Sequence, residues 1–146
     1  MGKEKIEIEQ SFNAPVETIF NILTDHESFG NVISTVIKRV VDSSEANKNG
    51  VGSVRRISAF PFPSFEETVV TFTPYQLMEY KVSKGSPIKN HKGRMEFFDE
   101  NNKTRLYYTI EFDPKLLFAL FGTFLKGAID KPIRNGIKQL AESYDS

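Results

Sequence analysis

The sequence contains no cysteine and no tryptophan, and it has only two histidines, His26 and His91. Without cysteine the chain forms no disulfide, and it offers neither a thiolate nucleophile nor a thiolate ligand for a metal ion. A zinc or iron site needs three or four converging ligands, which two histidines far apart in the chain do not supply. We therefore expect no metal ion and no other cofactor.

An excess of charge of one sign is also absent, since 19 lysines and arginines balance 19 aspartates and glutamates. Such a chain has no electrostatic attraction to nucleic acid or to anionic membranes. No apolar run reaches the ~20 residues of a membrane-spanning helix, and the first residues, MGKEK, lack the apolar segment of a signal peptide. The sequence thus predicts a cytoplasmic protein that binds no nucleic acid and has no transmembrane segment. Transient membrane contact and the oligomeric state stay open.

Aromatic residues, by contrast, are abundant, with 13 phenylalanines and 5 tyrosines among 146 residues. A chain of this length predicts one domain over residues 1–146 that is large enough to bury a sound core. The phenylalanines then either fill that core or line an aromatic pocket.

Alternation of apolar and polar residues predicts one strand, then two helices, then six strands joined by hairpins. The first helix has Asn13 as its N-cap and Pro15 in its first turn, and it ends near Thr24 or Asp25. The second helix is short, from about residue 27 to 33, with Phe29 pointing inward. The predicted strands are residues 6–12, 36–43, 52–60, 65–73, 77–84, 88–98 and 104–112.

The last third of the chain, residues 114–144, predicts a long helix in two parts. Residues 116–129 are apolar on almost every side, which is typical of a helix that is buried or that borders a cavity. The second part is amphipathic, and its apolar face holds Ile133, Ile137, Leu140, Ala141 and Tyr144. Pro132 should kink or break the helix near residues 127–131, with Asp130 capping the second part.

Several short motifs, in this order and spacing, resemble the START/Bet v 1-like (SRPBCC) superfamily, in its polyketide cyclase/dehydrase and lipid-transport branch. The motifs are FNAPVETIF at residues 12–20, LTD at 23–25, GVGSVR at 50–55, EETV at 66–69, and TP and LMEY within 73–80. The resemblance covers nearly the whole chain.

This resemblance implies an α+β helix-grip fold, in which a curved antiparallel sheet of about seven strands (β-α-α-β6-α) wraps a long C-terminal helix. A hydrophobic cavity lies between sheet and helix in such proteins. Members bind lipids, sterols, polyketides or other apolar molecules, and some catalyse ring closure. The family has no universal catalytic set, so the resemblance assigns no catalytic residue here.

Strand alternation indicates which side chains face the cavity that the resemblance implies. On the fifth, sixth and last strands these are Tyr80, His91, Met95, Phe97, Tyr108 and Ile110. The apolar helix contributes Leu117, Phe121 and Phe124 as further candidates for ligand binding. In this fold the loop between the third and fourth strands borders the cavity mouth, which makes Phe60, Phe62 and Phe65 candidates for a portal.

Two arginines and two glutamates on neighbouring strands are either a structural ion pair or an anchor for a ligand anion. Arg55 and Arg56 point to opposite faces of one strand, so one of them must point toward the helix. A buried arginine requires a carboxylate or a ligand anion, and Glu66 or Glu67 on the next strand is the expected partner. The sequence does not determine which arginine is inward.

His91, Tyr80 and Tyr108 are the other polar candidates. A histidine with a pKa near neutrality could act as a general acid or base, but a hydrogen-bonded structural histidine fits the position equally. The tyrosine hydroxyls could contact a ligand carbonyl or could reach water or backbone.

Three functions remain open on the sequence. The favoured one is binding or transport of a hydrophobic or amphipathic small molecule, such as a lipid, polyketide or isoprenoid-like compound. The second is a polyketide cyclase/dehydrase-type enzyme, and the third is a protein-docking module with no small ligand.

Overall fold

The structure is a computed structural model that describes residues 3–59, 62–85, 88–114 and 122–145. These ranges contain seven strands and three helices. The strands are β1 (Glu4–Phe12), β2 (Val36–Val41), β3 (Val54–Ser58), β4 (Phe65–Thr73), β5 (Leu77–Lys84), β6 (Ile88–Glu100) and β7 (Lys103–Pro114). The helices are α1 (Val16–Thr24), α2 (His26–Val32) and α3 (Gly122–Glu142).

The strands form one antiparallel sheet with the order β1-β7-β6-β5-β4-β3-β2. Consecutive strands from β2 to β7 are neighbours, as hairpin connections require. Strands β1 and β2 are the two edges of the sheet, and helices α1 and α2 connect them. Interruptions of the pairing register in β2, β4 and β6 add to its curvature. The predicted helix-grip fold is confirmed.

Strands β6 and β7 extend further than predicted because a tight turn joins them. Asn101 and Asn102 both adopt the left-handed conformation, with φ of 57° and 65°. Two consecutive residues with positive φ are typical of a two-residue hairpin, and asparagine tolerates this conformation better than most residues. The pairing therefore continues to Glu100 and Lys103.

Helix α3 lies across the concave face of the sheet with the predicted apolar face inward. Ile133, Ile137 and Ala141 are buried, while Leu140 and Tyr144 are partly buried against the same core. A side chain at Gly136 would overlap the carbonyl oxygen of Val32, so glycine permits the close approach of α3 to the end of α2. No helix in the described ranges is long and apolar enough to cross a membrane.

Two details of the helices differ from the prediction. Helix α3 continues through Pro132, so the predicted break before this residue is absent. A proline removes one helical hydrogen bond, and the packing of the flanking turns maintains the rest. Asp130 accepts a hydrogen bond from Arg134 Nε at 2.9 Å instead of capping a second helix. Asn13 does not cap α1 either: Pro15 is the N-cap residue, and the Asn13 amide donates to Asp145 Oδ1 at 2.6 Å.

Candidate functional site

A cavity of about 140 Å³ lies between the concave face of the sheet and α3. The lining is predominantly aromatic and aliphatic, and polar side chains reach it from β3, β4, β5 and β6. The described lining residues are Phe29, Ile33, Thr35, Ile37, Arg55, Ile57, Ala59, Phe62, Phe65, Glu67, Tyr80, Ile88, His91, Ile110, Leu125, Ala128, Ile129, Pro132 and Ile133. A dry apolar cavity of roughly 150 Å³ binds benzene, so this one has room for about one ring.

The inward arginine is Arg55, which is 1% exposed. Its Nε donates to Glu67 Oε1 at 2.8 Å, and the two residues lie opposite each other on β3 and β4. Arg56 points to the convex face and pairs with Glu66 at 3.1 Å. The predicted buried ion pair is confirmed, with Arg55 and Glu67 as its members.

The Arg55 guanidinium is enclosed by aromatic rings as well as by the carboxylate. Its Cζ lies 4.3 Å from the centre of the Tyr80 ring and 5.1 Å from that of Phe29, which are cation–π distances. Burial is the largest single influence and acts to lower the pKa of Arg55, but Glu67, Tyr80 and Tyr108 together outweigh it and the pKa is raised. Arg55 therefore stays charged. Its Nη1 is buried and has no hydrogen-bond partner among the described residues.

His91 is held in one tautomer by the backbone of the neighbouring strand. The Val82 N–H donates to His91 Nδ1 at 3.0 Å, so the ring proton is on Nε2, which faces Glu67 Oε2 at 3.5 Å. Burial lowers the pKa of His91; Glu67 opposes this effect and Arg55 adds to it. His91 is therefore neutral at pH 7, with its Nδ1 hydrogen-bonded and its Nε2 close to a carboxylate.

The two predicted tyrosines form a buried pair, since the hydroxyls of Tyr80 and Tyr108 are hydrogen-bonded to each other. Burial raises the pKa of both hydroxyls well above the ordinary value. The Tyr80 ring lies directly over Gly93 of β6, where any Cβ atom would overlap it. Glycine at this position thus leaves room for the Tyr80 ring, over which the Arg55 guanidinium lies.

A model of the family described as "Polyketide cyclase / dehydrase and lipid transport" matches residues 3–145. The chain belongs to this family. The superfamily predicted from the sequence motifs is thereby confirmed. No curated protein sequence matches the chain.

Solved structures of other proteins have a similar fold. The Zhui aromatase/cyclase from Streptomyces sp. R1128 is 13% identical, with a TM-score of 0.75 over 97% of this chain and 94% of that chain. Norcoclaurine synthase from Thalictrum flavum, in complex with dopamine and hydroxybenzaldehyde, is 12% identical, with a TM-score of 0.69 over 99% of this chain and 90% of that chain. Ara h 8.0201 is 15% identical, with a TM-score of 0.63 over 97% of this chain and 99% of that chain. At these identities the likeness shows the fold alone.

In this member of the family, five of the predicted site residues line the cavity: Tyr80, His91, Ile110, Phe62 and Phe65. Their roles in ligand binding and in a portal stay predictions. Three further candidates, Phe60, Leu117 and Phe121, lie outside the described residues.

The remaining four candidates are placed elsewhere. Met95, Phe97 and Tyr108 are buried on the concave face but do not line the cavity, because the sheet extends beyond it. Phe97 instead packs against Phe20 of α1, with ring centres 5.0 Å apart. Phe124 is 64% exposed, whereas Leu125, one position further along α3, is 1% exposed and lines the cavity.

A bulge in β6 brings in a residue that strand alternation misses. Alternation places the odd-numbered residues of β6 inward, yet Ile88 also lines the cavity. Asn90 has a φ of 51°, and the register with β7 shifts between Lys89 and Lys92. One extra residue there lets both Ile88 and His91 point inward.

Sequence reasoning assigned no role to His26, which the structure buries completely. Its Nε2 is 2.9 Å from Ser53 Oγ, and its Nδ1 is buried with no partner in the described part of the chain. Burial, assisted by Arg55 and Arg39, lowers the pKa of His26 from 6.5 to about 2. A histidine in a turn between two helices gives no sequence signal of burial.

Proposed function

We propose that this protein binds one small, mostly apolar molecule between the sheet and α3 and holds it without chemical conversion, as a carrier or sensor does. The observation that supports this function is the state of the polar groups at the cavity. Tyr80, His91 and Glu67 are each bonded to another group of the protein, while the rest of the lining is predominantly apolar.

Binding is supported by the size and chemistry of the cavity. Transfer of an apolar group from water into such a lining contributes roughly 25 cal/mol per Å² of buried surface. The volume of about 140 Å³ suits one ring or a short branched chain, such as one unit of a lipid, polyketide or isoprenoid-like compound. A cavity of this kind gives the ligand-binding function more support than the docking-module alternative.

A cyclase or dehydrase would need a general acid or base that reaches the substrate with a pKa near the working pH. The Nδ1 of His91 accepts a backbone N–H, and its Nε2 faces a carboxylate. The pKa of His91 is lowered, and the pKa values of Tyr80 and Tyr108 are raised, so none of the three exchanges a proton readily at pH 7. These groups support binding better than turnover.

The test uses two matched variants on α3. Because the chain has no tryptophan, Leu125→Trp and Phe124→Trp each introduce a single tryptophan, the first inside the cavity and the second outside it. The purified wild-type protein is first examined by native mass spectrometry for a molecule carried through purification. Urea unfolding of all three proteins is then measured with and without toluene.

We expect toluene to stabilise the wild type and Phe124→Trp, by about 2.7 kcal/mol at a hundred times its Kd. Leu125→Trp should lose this stabilisation, because the indole occupies the space that toluene would fill. The function is refuted if neither toluene nor other single-ring compounds stabilise the wild type. It is also refuted if Leu125→Trp responds as strongly as Phe124→Trp.

A further inference from the structure

We propose that one end of the molecule docks on a lipid bilayer that contains anionic lipids. This surface, which we call the basic end, consists of five lysines and two exposed apolar residues: Lys81, Lys84, Lys89, Lys126, Lys131, Val36 and Phe124. The proposal concerns the outer surface of the protein, so it does not depend on what the cavity between the sheet and α3 holds.

The antiparallel sheet assembles the basic end. Strands β2, β4 and β6 begin at this edge of the sheet, and β3, β5 and β7 end there. Lys84 at the end of β5 lies opposite Glu66 of β4, and Lys89 follows at the start of β6. Helix α3 begins on this side as well, because the chain just after it is held at the opposite end, where the Asn13 amide donates to Asp145 Oδ1. Lysines from two strands and one helix therefore meet on one side of the molecule.

The five lysines carry charge that the described residues do not neutralise. None of them has a carboxylate oxygen within 4 Å in the described ranges, whereas three carboxylates at this end each have a basic partner: Glu66 with Arg56 at 3.1 Å, Glu111 with Lys3 at 3.7 Å and Asp130 with Arg134 at 2.9 Å. The two remaining described acids here, Glu4 and Asp113, do not balance five lysines.

The acids that make the total charge zero lie largely at the opposite end of the molecule. Examples come from α1, the loop between β2 and β3, the turn between β6 and β7, and the end of α3: Glu17, Glu45, Asp99 and Glu142. The balanced composition therefore conceals a positive end, which only the arrangement of the strands brings together.

The two most exposed of the large apolar side chains in the described ranges also belong to this end. They are Val36, which is 70% exposed, and Phe124, which is 64% exposed. Each is next in sequence to a residue that lines the cavity, Ile37 and Leu125 respectively, so this surface lies beside the cavity. Exposed apolar side chains together with unpaired lysines are the composition that binds at the interface of an anionic bilayer.

A bilayer fits the basic end better than a protein partner does. Protein interfaces are depleted in lysine and enriched in arginine and aromatic residues, whereas this surface consists mostly of lysine. A lysine ammonium is a hydrated point charge on a flexible stem, which suits a fluid array of anionic headgroups more than a fixed set of acceptors. Each lysine near an anionic bilayer raises the partition coefficient about fivefold, so the five together favour reversible binding.

The first experiment places a single tryptophan at either end of the molecule. Phe124→Trp reports on the basic end, and Tyr75→Trp is the matched control, since Tyr75 is a partly exposed aromatic residue in the turn between β4 and β5 at the opposite end. Each protein is mixed with vesicles of phosphatidylcholine alone or of phosphatidylcholine with phosphatidylserine. We expect the emission of Phe124→Trp to move to shorter wavelength with the mixed vesicles only, and that of Tyr75→Trp to stay unchanged.

Two double variants test the lysines by flotation with the mixed vesicles. Lys84→Gln with Lys89→Gln removes two charges from the basic end, and Lys48→Gln with Lys103→Gln removes two from the opposite end. All four lysines are exposed, so both variants should fold as the wild type does. The first should bind about thirtyfold more weakly, the square of the effect of one lysine, and the second should bind as the wild type does. Binding of the wild type should be lost at about 1 M salt, where the Debye length is ~3 Å.

The proposal is overturned if the wild type does not bind the mixed vesicles or binds phosphatidylcholine vesicles equally well. It is also overturned if the two double variants bind alike, or if the emission of Tyr75→Trp moves as far as that of Phe124→Trp. Soluble poly-glutamate tests an acidic protein as the partner: binding of this polymer without binding of the vesicles would assign the surface to such a protein and refute the bilayer. Stabilisation by toluene is measured without vesicles, so failure of the proposed function and failure of this inference are distinguishable.

Discussion

Replacement of the buried His26 by glutamine should make the stability of the protein less dependent on pH. The imidazole is 0% exposed, and its Nε2 lies 2.9 Å from Ser53 Oγ. Burial is the main cause that lowers the pKa of His26 from 6.5 to about 2, and the guanidinium groups of Arg55 and Arg39 add to it. The folded protein therefore holds this side chain in its neutral form throughout the mildly acidic range.

The sign and size of the effect follow from the difference between the folded and unfolded states. Below about pH 6.5 the unfolded chain binds a proton at His26, and the folded chain does not until the pH approaches 2. The contribution of His26 to the free energy of unfolding is thus complete above about pH 6.5 and falls as the pH falls. Between pH 7 and pH 5 the loss is about 2 kcal/mol.

The assay is urea unfolding of the wild type and of His26→Gln at pH 7 and pH 5. The glutamine amide can still form a hydrogen bond with Ser53 but does not titrate. The other titratable groups of the chain are the same in both proteins. The difference between the two pH-dependent losses therefore isolates His26, and we expect the wild type to lose about 2 kcal/mol more than the variant.

Two results would contradict this reasoning. The first is a wild-type protein that is as stable at pH 5 as at pH 7, which would mean that His26 takes up its proton in the folded state. The second is a His26→Gln protein that keeps the whole pH dependence, which would assign the effect to other groups.

Two further predictions each compare a buried position with a less buried one. Gly93→Ala should lower the free energy of unfolding by about 1–3 kcal/mol, because the methyl group would displace the Tyr80 ring. Gly127→Ala, with nothing near its Cβ, should raise it by about 0.5–1 kcal/mol through helix propensity, and equal stabilities in thermal unfolding would contradict both expectations. Glu67→Gln should cost about 3–5 kcal/mol in urea unfolding, since it leaves a buried guanidinium without its carboxylate. The less buried counterpart Glu66→Gln, whose partner Arg56 is exposed, should cost less than about 1 kcal/mol, and a comparable loss from the two would show that burial does not set the strength of these pairs.

The elements of the fold could be predicted closely because local patterns determine them. Strand β4 begins and ends at the residues that alternation predicts, as does β5. The apolar face of α3, with Ile133 and Ile137 inward, follows from the helical repeat alone. Such periodicities are properties of a short segment and do not depend on what packs against it.

The extent of the cavity could not be predicted in the same way. Alternation gives the face of each strand but not the part of that face that a helix covers, so Met95 and Phe97 are core residues rather than lining. Ile88 enters the lining only because a bulge at Asn90 shifts the alternation by one residue. Phe124 and Leu125 are both apolar, and only the position of α3 on the sheet makes the second the inward one.

The sequence was sufficient to predict the family and the order of the elements, and it favoured an ion pair between the strands that carry Arg55 and Glu67. These properties depend on local periodicity, motif order and the cost of burying an unpaired charge. The three-dimensional arrangement was needed to show that Arg55 is the inward arginine, that its Nη1 has no partner among the described residues, and that His26 is buried. Burial and hydrogen bonding are set by segments distant in the chain, and a single residue's neighbours in sequence do not record them.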